Sequence, residues 1–554
     1  MGSYWFRNGE VYTLDPARPW AASLVVHDER IVFVGADDEA RRHLRPDTVE
    51  IDLERGFLMP GFVDGHDHLV GGALGKVGVS LEDLHGRDAV LEAVRRYAAA
   101  HPHLDVIRGH GWTQFTFGIG VQPHRTWLDE VTDVRPALLH SYEIHDAWAN
   151  TAAFVAAGID ASTPDPNPPT GYWPRDPDGF PAGTCCEPES WIPVAHALGM
   201  FSVSAVREAM DLSFFPAPTW GITSYFDASF LTLDRALTSQ VHQLLVDLDR
   251  AGELPVRVVG SHVVRNPDGD PRRAVETLRE LHGDVRSDHV SITTLKLFMD
   301  GVGPQHTAAM LEDYADQPHR GAFIFDPEAA HRFAEAVNLA GFDAHIHACG
   351  DAGVRGALDA YERIRHDHPG LDARNTVCHM EFCHPDDVAR FARLDVTANC
   401  TPLWGTDYRG EFMDAYPLLV GDERFERDYC PYGDLVRSGA RVTFGADCPG
   451  VEVHEIPPLT QIEAAVTRRR PGRPDDRPCL PRQRVEVAEA LRAYTIAGAR
   501  SLRLEHEIGS LEVGKRADLV WLGASPFDVE PHRIHAIDVQ LTMLSGRVTH
   551  GTVG

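Results

Sequence analysis

No apolar run in this chain of 554 residues approaches the ~18 needed to cross a bilayer. The opening residues Met1 to Arg7 lack a charged segment followed by an apolar one, so no secretory signal is expected. Positive charge is scarce. There are 52 Lys and Arg against 82 Asp and Glu, a formal net charge of -30. That deficit disfavours nucleic acid or an anionic membrane as partner, because both need a basic surface. Cysteine is sparse as well. The nine thiols are odd in number, and apart from the adjacent Cys185 and Cys186 they are scattered without the paired spacing of a zinc knuckle. Reduced thiols in a cytoplasmic protein are the expectation. What remains is ordinary for a soluble globular chain, with 43% hydrophobic and 24% charged residues.

Against these shortages, histidine is plentiful, with 30 in the chain. Two of them end the stretch Leu58 to His68, which reads as a short apolar strand. Side chains alternate along a strand, so His66 and His68 point the same way. Two imidazoles projecting together suit a borderline-soft metal such as zinc. They also suit a polar loop mouth, and the pair alone does not separate the two.

The chain's ends are β-rich. Strands are expected at Gly9 to Leu14, Ala22 to Val26 and Arg30 to Gly35, and again at Ala517 to Leu522 and Val539 to Leu544. This texture predicts one composite β-sandwich made of residues 1–58 and 505–554, or else two separate terminal subdomains. The middle, residues 59–504, alternates apolar strands with helical stretches, which argues for an α/β fold with a parallel sheet. Eight strands are expected: one into His66, then Ile222 to Asp227, Pro255 to Gly260, Ile292 to Phe298, Phe342 to His347, Thr376 to His379, Asp395 to Cys400 and Arg441 to Asp447. Eight fit a (β/α)8 TIM barrel. The gap at 69–220 is too long for one crossover helix. It is expected to form an insertion over the active face, as a lid or pocket wall, or else a subdomain that only packs.

Polar residues recur where barrel strands should end, and those ends converge on one mouth. They are His66, His68, His347, His379 and Asp447, with Lys296 inside the fourth strand. Imidazole and carboxylate are ligand types that zinc favours. Lys296 sits among Leu295, Leu297 and Phe298, and a buried lysine is rare unless paired. Either an acid such as Asp300 pairs it, or its neutral amine adds CO2 to become a carbamate able to bridge two metal ions.

The segments Pro60 to His68, Lys296 to Gly301, His347 to Ala352, His379 to Glu381, Gly445 to Asp447 and Gly509 to Val520 together resemble the amidohydrolase superfamily, in its family 3 branch that includes N-substituted formamide deformylases. The resemblance covers nearly the whole chain. It implies a metal-dependent hydrolase that cleaves an amide-type C–N bond of a small molecule by a metal-activated hydroxide. It implies two zinc ions, although other divalent metals suit the same donors; a one-metal enzyme would use His66, His68, His347 or His379, and Asp447, with Lys296 merely paired. One ion would be held by His66, His68 and Asp447, the other by His347 and His379, with carboxylated Lys296 between them. Asp447 would act as general base and then general acid. A homodimer is common in the superfamily. An ester, lactone or carbamate hydrolase would use the same centre, and a non-catalytic scaffold should have lost ligands that are all present here. The sequence departs from the branch at Ala352, where arginine is usual, and at Cys378, where glutamate is usual. His345 faces the same way as His347 and competes with it as ligand; the Gly-Asp that follows favours His347. In the insertion, His145 and Asn150 resemble the branch's His-x-x-x-x-Asn segment, so His145 would face substrate unless it is structural. Trp112 would wall the pocket unless it is core. Glu187 is a further candidate.

Overall fold

A parallel sheet needs strands buried on both faces, and the expected strands are near-continuous apolar runs. In the computed structural model, which describes residues 2–113, 116–118, 120–142, 144–168, 171–228, 235–410 and 412–553, eight such strands form one sheet. They are Phe62–Asp67 (β1), Ile222–Asp227 (β2), Arg257–Val263 (β3), Val290–Phe298 (β4), Asp343–Ala348 (β5), Thr376–His379 (β6), Thr397–Cys400 (β7) and Arg441–Phe444 (β8). Each pairs in parallel with its neighbours in chain order. The sheet curls so that its first and last strands meet. The Asp447 amide donates to the His66 carbonyl at 3.0 Å, and the Ala446 amide to Asp64 Oδ2 at 3.1 Å. Gly445 is required at this seam, since a Cβ there would lie 2.4 Å from the His66 carbonyl oxygen. The architecture is thus the (β/α)8 barrel that the strand count predicts.

Several strands begin or end one or two residues from expectation, and two boundaries shift further for physical reasons. β3 runs on to Val263, because beyond a bulge at Gly260 and Ser261 it keeps pairing with Thr294 to Lys296. Its polar Ser261 and His262 had masked that continuation. β8 stops at Phe444, since residues 445–447 turn across the seam toward β1 and Asp447 takes φ 58°. Helices Pro327–Leu339 and Pro385–Leu394 lie where proline at the first turn and apolar spacing place them.

The chain's ends build two further sheets. One holds only N-terminal strands, Arg30–Gly35, Ser23–His27, Ser3–Arg7 and Val49–Asp52. The other interleaves both ends: Leu519–Leu522 pairs antiparallel with Phe57–Pro60 on one side and Val539–Leu544 on the other. Between the sheets, Phe6, Leu24, Ile31 and Leu58 pack with Leu519, Leu541 and Met543 in one apolar cluster. Neither end could bury these faces alone.

The stretch between β1 and β2 has a five-stranded sheet of its own, in the order Thr184–Cys185, Ala147–Ala149, Ala137–Ser141, Ile107–Trp112, Val79–Ser80. It is pinned to the β8 side of the barrel mouth by a buried ion pair, Lys76 Nζ to Glu452 Oε1 at 3.0 Å. Among the described residues no helix is long and apolar enough to cross a membrane.

Candidate metal centre

The barrel's closure carries residues from β1, β4, β5, β6 and the end of β8 to one cleft. His66, His68, Lys296, His347, His379 and Asp447 all line it. Asp447 is the hub. Its Oδ1 lies 3.3 Å from His66 Nε2 and 3.3 Å from His68 Nε2, and its Oδ2 lies 3.5 Å from His379 Nδ1. His66 Nε2 and His379 Nδ1 have no hydrogen-bond partner among the described residues. Buried polar atoms are nearly always satisfied, so two orphaned imidazole nitrogens beside one carboxylate fit the donor set of a metal ion. The donor atoms of His66, His68 and Asp447 lie within 4.8 Å of one another, and so do those of His66, Cys378 and His379.

The electrostatics suit cation binding. Burial, foremost, holds the imidazoles of His66, His345, His347 and His379 well below their ordinary pKa, so they are neutral and have lone pairs to give. Burial acts the other way on Asp447, but its close neighbours, His379, a hydrogen bond from His68 and the Lys296 amine, more than offset it, and this carboxyl stays below its usual value. Nearby Asp64 is pushed up to about 8, chiefly by burial. It accepts from the amides of His66 and Ala446 and so ties β1 to the residues after β8. His379, Met380 and Asp447 all have positive φ (79°, 46° and 58°), backbone strain of the kind that collects at functional sites.

His345 is turned away from the donor cluster. Its Nε2 lies 2.8 Å from His66 Nδ1, and its ring stacks on Phe226 with centroids 4.6 Å apart. It sits behind His66 and aims it. His347 reaches the cleft, 4.4 Å from the His379 ring, with Nε2 3.0 Å from the Gly301 carbonyl. A carbonyl only accepts, so Nε2 carries the proton and Nδ1 keeps a lone pair.

Pairing of Lys296 with Asp300 is not found. Asp300 accepts from the amides of Ala309, Cys349 and Gly350 at 2.8–3.0 Å, while Lys296 Nζ donates to Cys378 Sγ at 3.1 Å. Trp112 is likewise not a wall of the cleft. It is buried in the insertion's core with Leu81, Val90 and Trp148, and its Nε1 donates to the Leu139 carbonyl at 2.8 Å. A tryptophan followed by threonine on a strand carries no sign of which face is the cleft. The aromatic walls are instead Tyr142, Trp191, Trp404, Phe298, Phe412 and Tyr416, with Trp404 stacked on His379 at 5.5 Å.

His145 lines the cleft, its ring 5.8 Å from that of His347. Its Nδ1 lies 2.7 Å from Glu187 Oε2, and Glu187 Oε1 accepts from Thr307 at 2.7 Å. Asn150 lies away from this group. It caps the helix at Thr151–Ala156 and accepts from the Ala153 amide at 2.9 Å. One residue that sequence reasoning passed over is Glu381, two past His379. It faces the cleft and accepts from the Tyr416 hydroxyl and the Gly303 amide. Its spacing from a ligand was the available signal.

Residues 49–550 match the profile of the amidohydrolase family. The chain is 29% identical to Protein LONG AFTER FAR-RED 3 of Arabidopsis thaliana over 94% of its own length and 87% of that protein's. It is 26% identical to the N-substituted formamide deformylase of Arthrobacter pascens, covering 99% of this chain and 98% of the other. Its fold matches the crystal structure of an uncharacterized metal-dependent hydrolase from Pyrococcus horikoshii with a TM-score of 0.73 and 22% identity, over 96% of this chain and 99% of that one.

Proposed function

The chain belongs to the amidohydrolase family, and on that premise we propose that it is a metal-dependent hydrolase cleaving an amide-type C–N bond in a small molecule with an apolar flank. The observation that carries this reading is the single carboxylate of Asp447 set within 3.5 Å of three imidazoles, two of them with orphaned nitrogens. His66, His68 and Asp447 would hold one divalent ion, and His379 with His347 would hold a second. Nitrogen and carboxylate donors of this kind suit zinc. A bound ion would supply Lewis-acid polarisation of the scissile carbonyl and an acidified water.

The chain's own groups supply the rest. Asp447, kept ionised among the imidazoles, takes the proton of the attacking water and returns it to the leaving nitrogen. His145, held by Glu187, orients the substrate from the insertion side. Trp191, Trp404 and Phe412 exclude water and bind the apolar part of the substrate. The likeness to an N-substituted formamide deformylase supports N-formyl and N-acyl amines as the substrates to screen. Asp447→Asn is expected to keep its fold and metal, measured by circular dichroism and elemental analysis, and to lose about 10²–10⁴-fold in turnover. Near-normal hydrolysis by that variant would remove Asp447 from the mechanism.

A further inference from the structure

We propose that the sulfur of Cys378 is itself a metal ligand, a thiolate on the His379 side of the centre, with Lys296 as its hydrogen-bond donor. The inference deepens the metal reading above and rests on it. Cys378 and His379 are consecutive on β6, and on a regular strand they would face opposite ways. His379 has φ 79°, so the strand geometry breaks between them. As a result Cys378 Sγ, a ring nitrogen of His379 and a ring nitrogen of His66 all lie within 4.8 Å of one another. All three side chains are buried, with residue exposures of 0% for Cys378, 4% for His379 and 1% for His66. His379 Nδ1 lacks a hydrogen-bond partner among the described residues, and His66, whose Nε2 goes to the neighbouring ion, marks the side of the group that faces it. With bonds of about 2.3 Å to sulfur and about 2.0 Å to nitrogen, an ion draws such donors to a spread of roughly 4 Å, a small closure from what is seen.

Lys296 completes the argument. Its Nζ lies 3.1 Å from Cys378 Sγ, placed to donate a hydrogen bond to a sulfur that binds the ion. In the free protein the thiol also donates to the Ile346 carbonyl at 3.4 Å. On metal binding the S–H bond breaks, its proton leaves to solvent, and the sulfur lone pair forms the bond to the ion; nothing is oxidised or reduced. The thiolate then supplies the negative charge that a carboxylated lysine would otherwise bring. A soft sulfur ligand also biases the site toward zinc over magnesium or manganese.

The test uses the full chain, stripped with a chelator and reloaded with Co²⁺ alone, with cobalt counted by elemental analysis. A thiolate-to-cobalt charge-transfer band in the near ultraviolet is expected. It should vanish in Cys378→Ser, with cobalt affinity down about tenfold or more. The band should persist in Cys349→Ser, whose sulfur lies 3.5 Å from His347 Nε2 and is the competing source. Cys378→Glu should hold cobalt without the band. X-ray absorption at the metal edge of the unmutated protein gives a reading that needs no variant, and a sulfur scatterer at about 2.3 Å is expected. Cobalt bound in full with no band and no sulfur scatterer overturns the thiolate ligand and leaves the metal centre standing. A band that survives in Cys378→Ser overturns it too. A chain that retains no cobalt overturns the metal reading and this inference together.

Discussion

At the scale of single residues, the centre depends on how each imidazole is aimed. His66 is held from behind by His345, 2.8 Å away, so Nδ1 is engaged and Nε2 is the nitrogen presented to Asp447. Such outer partners fix both the tautomer and the direction of a ligand. His345→Ala is therefore expected to weaken metal binding roughly 10–100-fold, read by competition against a fluorescent chelator, with only a modest change in stability. An unchanged affinity would make His345 a core histidine and nothing more. The same logic separates Lys296 from Asp300. Three backbone amides already fill the Asp300 carboxyl, which burial pushes up to about 8, and the amine turns to Cys378 instead.

At the scale of elements, what matters is where strands stop. β8 ends at Phe444, and the next three residues cross to β1, which brings Asp447 to the histidines. Gly445 makes that crossing possible. Any Cβ there would press on the His66 carbonyl oxygen and amide nitrogen, at 2.4 and 2.6 Å, and backbone atoms in a sheet cannot step aside. Gly445→Ala is expected to cost about 3 kcal/mol, the upper part of the usual overpacking range, and to loosen the metal with it. Urea denaturation with and without zinc checks both effects. An unaltered midpoint would mean the seam tolerates a side chain, contrary to this geometry. The local patterns that mark β2, β6 and the helices Pro327–Leu339 and Pro385–Leu394 were legible because alternation and first-turn prolines act over a few residues. The extension of β3 was not legible, since a bulge and two polar residues hide pairing that only its neighbour supplies.

At the scale of the whole molecule, the terminal sheets and the barrel share a buried charge pair. Arg257 on β3 donates to Asp518 near the C-terminus, to Ser224 Oγ at 2.8 Å and to Ser545 Oγ at 3.1 Å. The two charged side chains are 5% and 1% exposed, so removing one strands the other without solvent. Asp518→Ala is expected to destabilise the protein by about 3–5 kcal/mol, and Arg257→Met with Asp518→Leu to recover much of that. Both are read as midpoints of calorimetric unfolding. If Asp518→Ala left the barrel's transition unmoved, the terminal sheets would be passengers and not part of one cooperative body.

Taken alone, the order of amino acids determined the count of eight barrel strands, the β-rich character of the two ends and the residues His66, His68, Lys296, His347, His379 and Asp447 as candidates for one cleft. The strands follow from short-range periodicity, and the candidates from residue chemistry and a family resemblance. Tertiary structure decided which donors touch. It put His345 behind His66, took Trp112 into the insertion's core, set Glu187 on His145 and brought Cys378 against Lys296. Those choices arise when a curved sheet closes on itself, and closure is a sum over pairings hundreds of residues apart that no local pattern encodes.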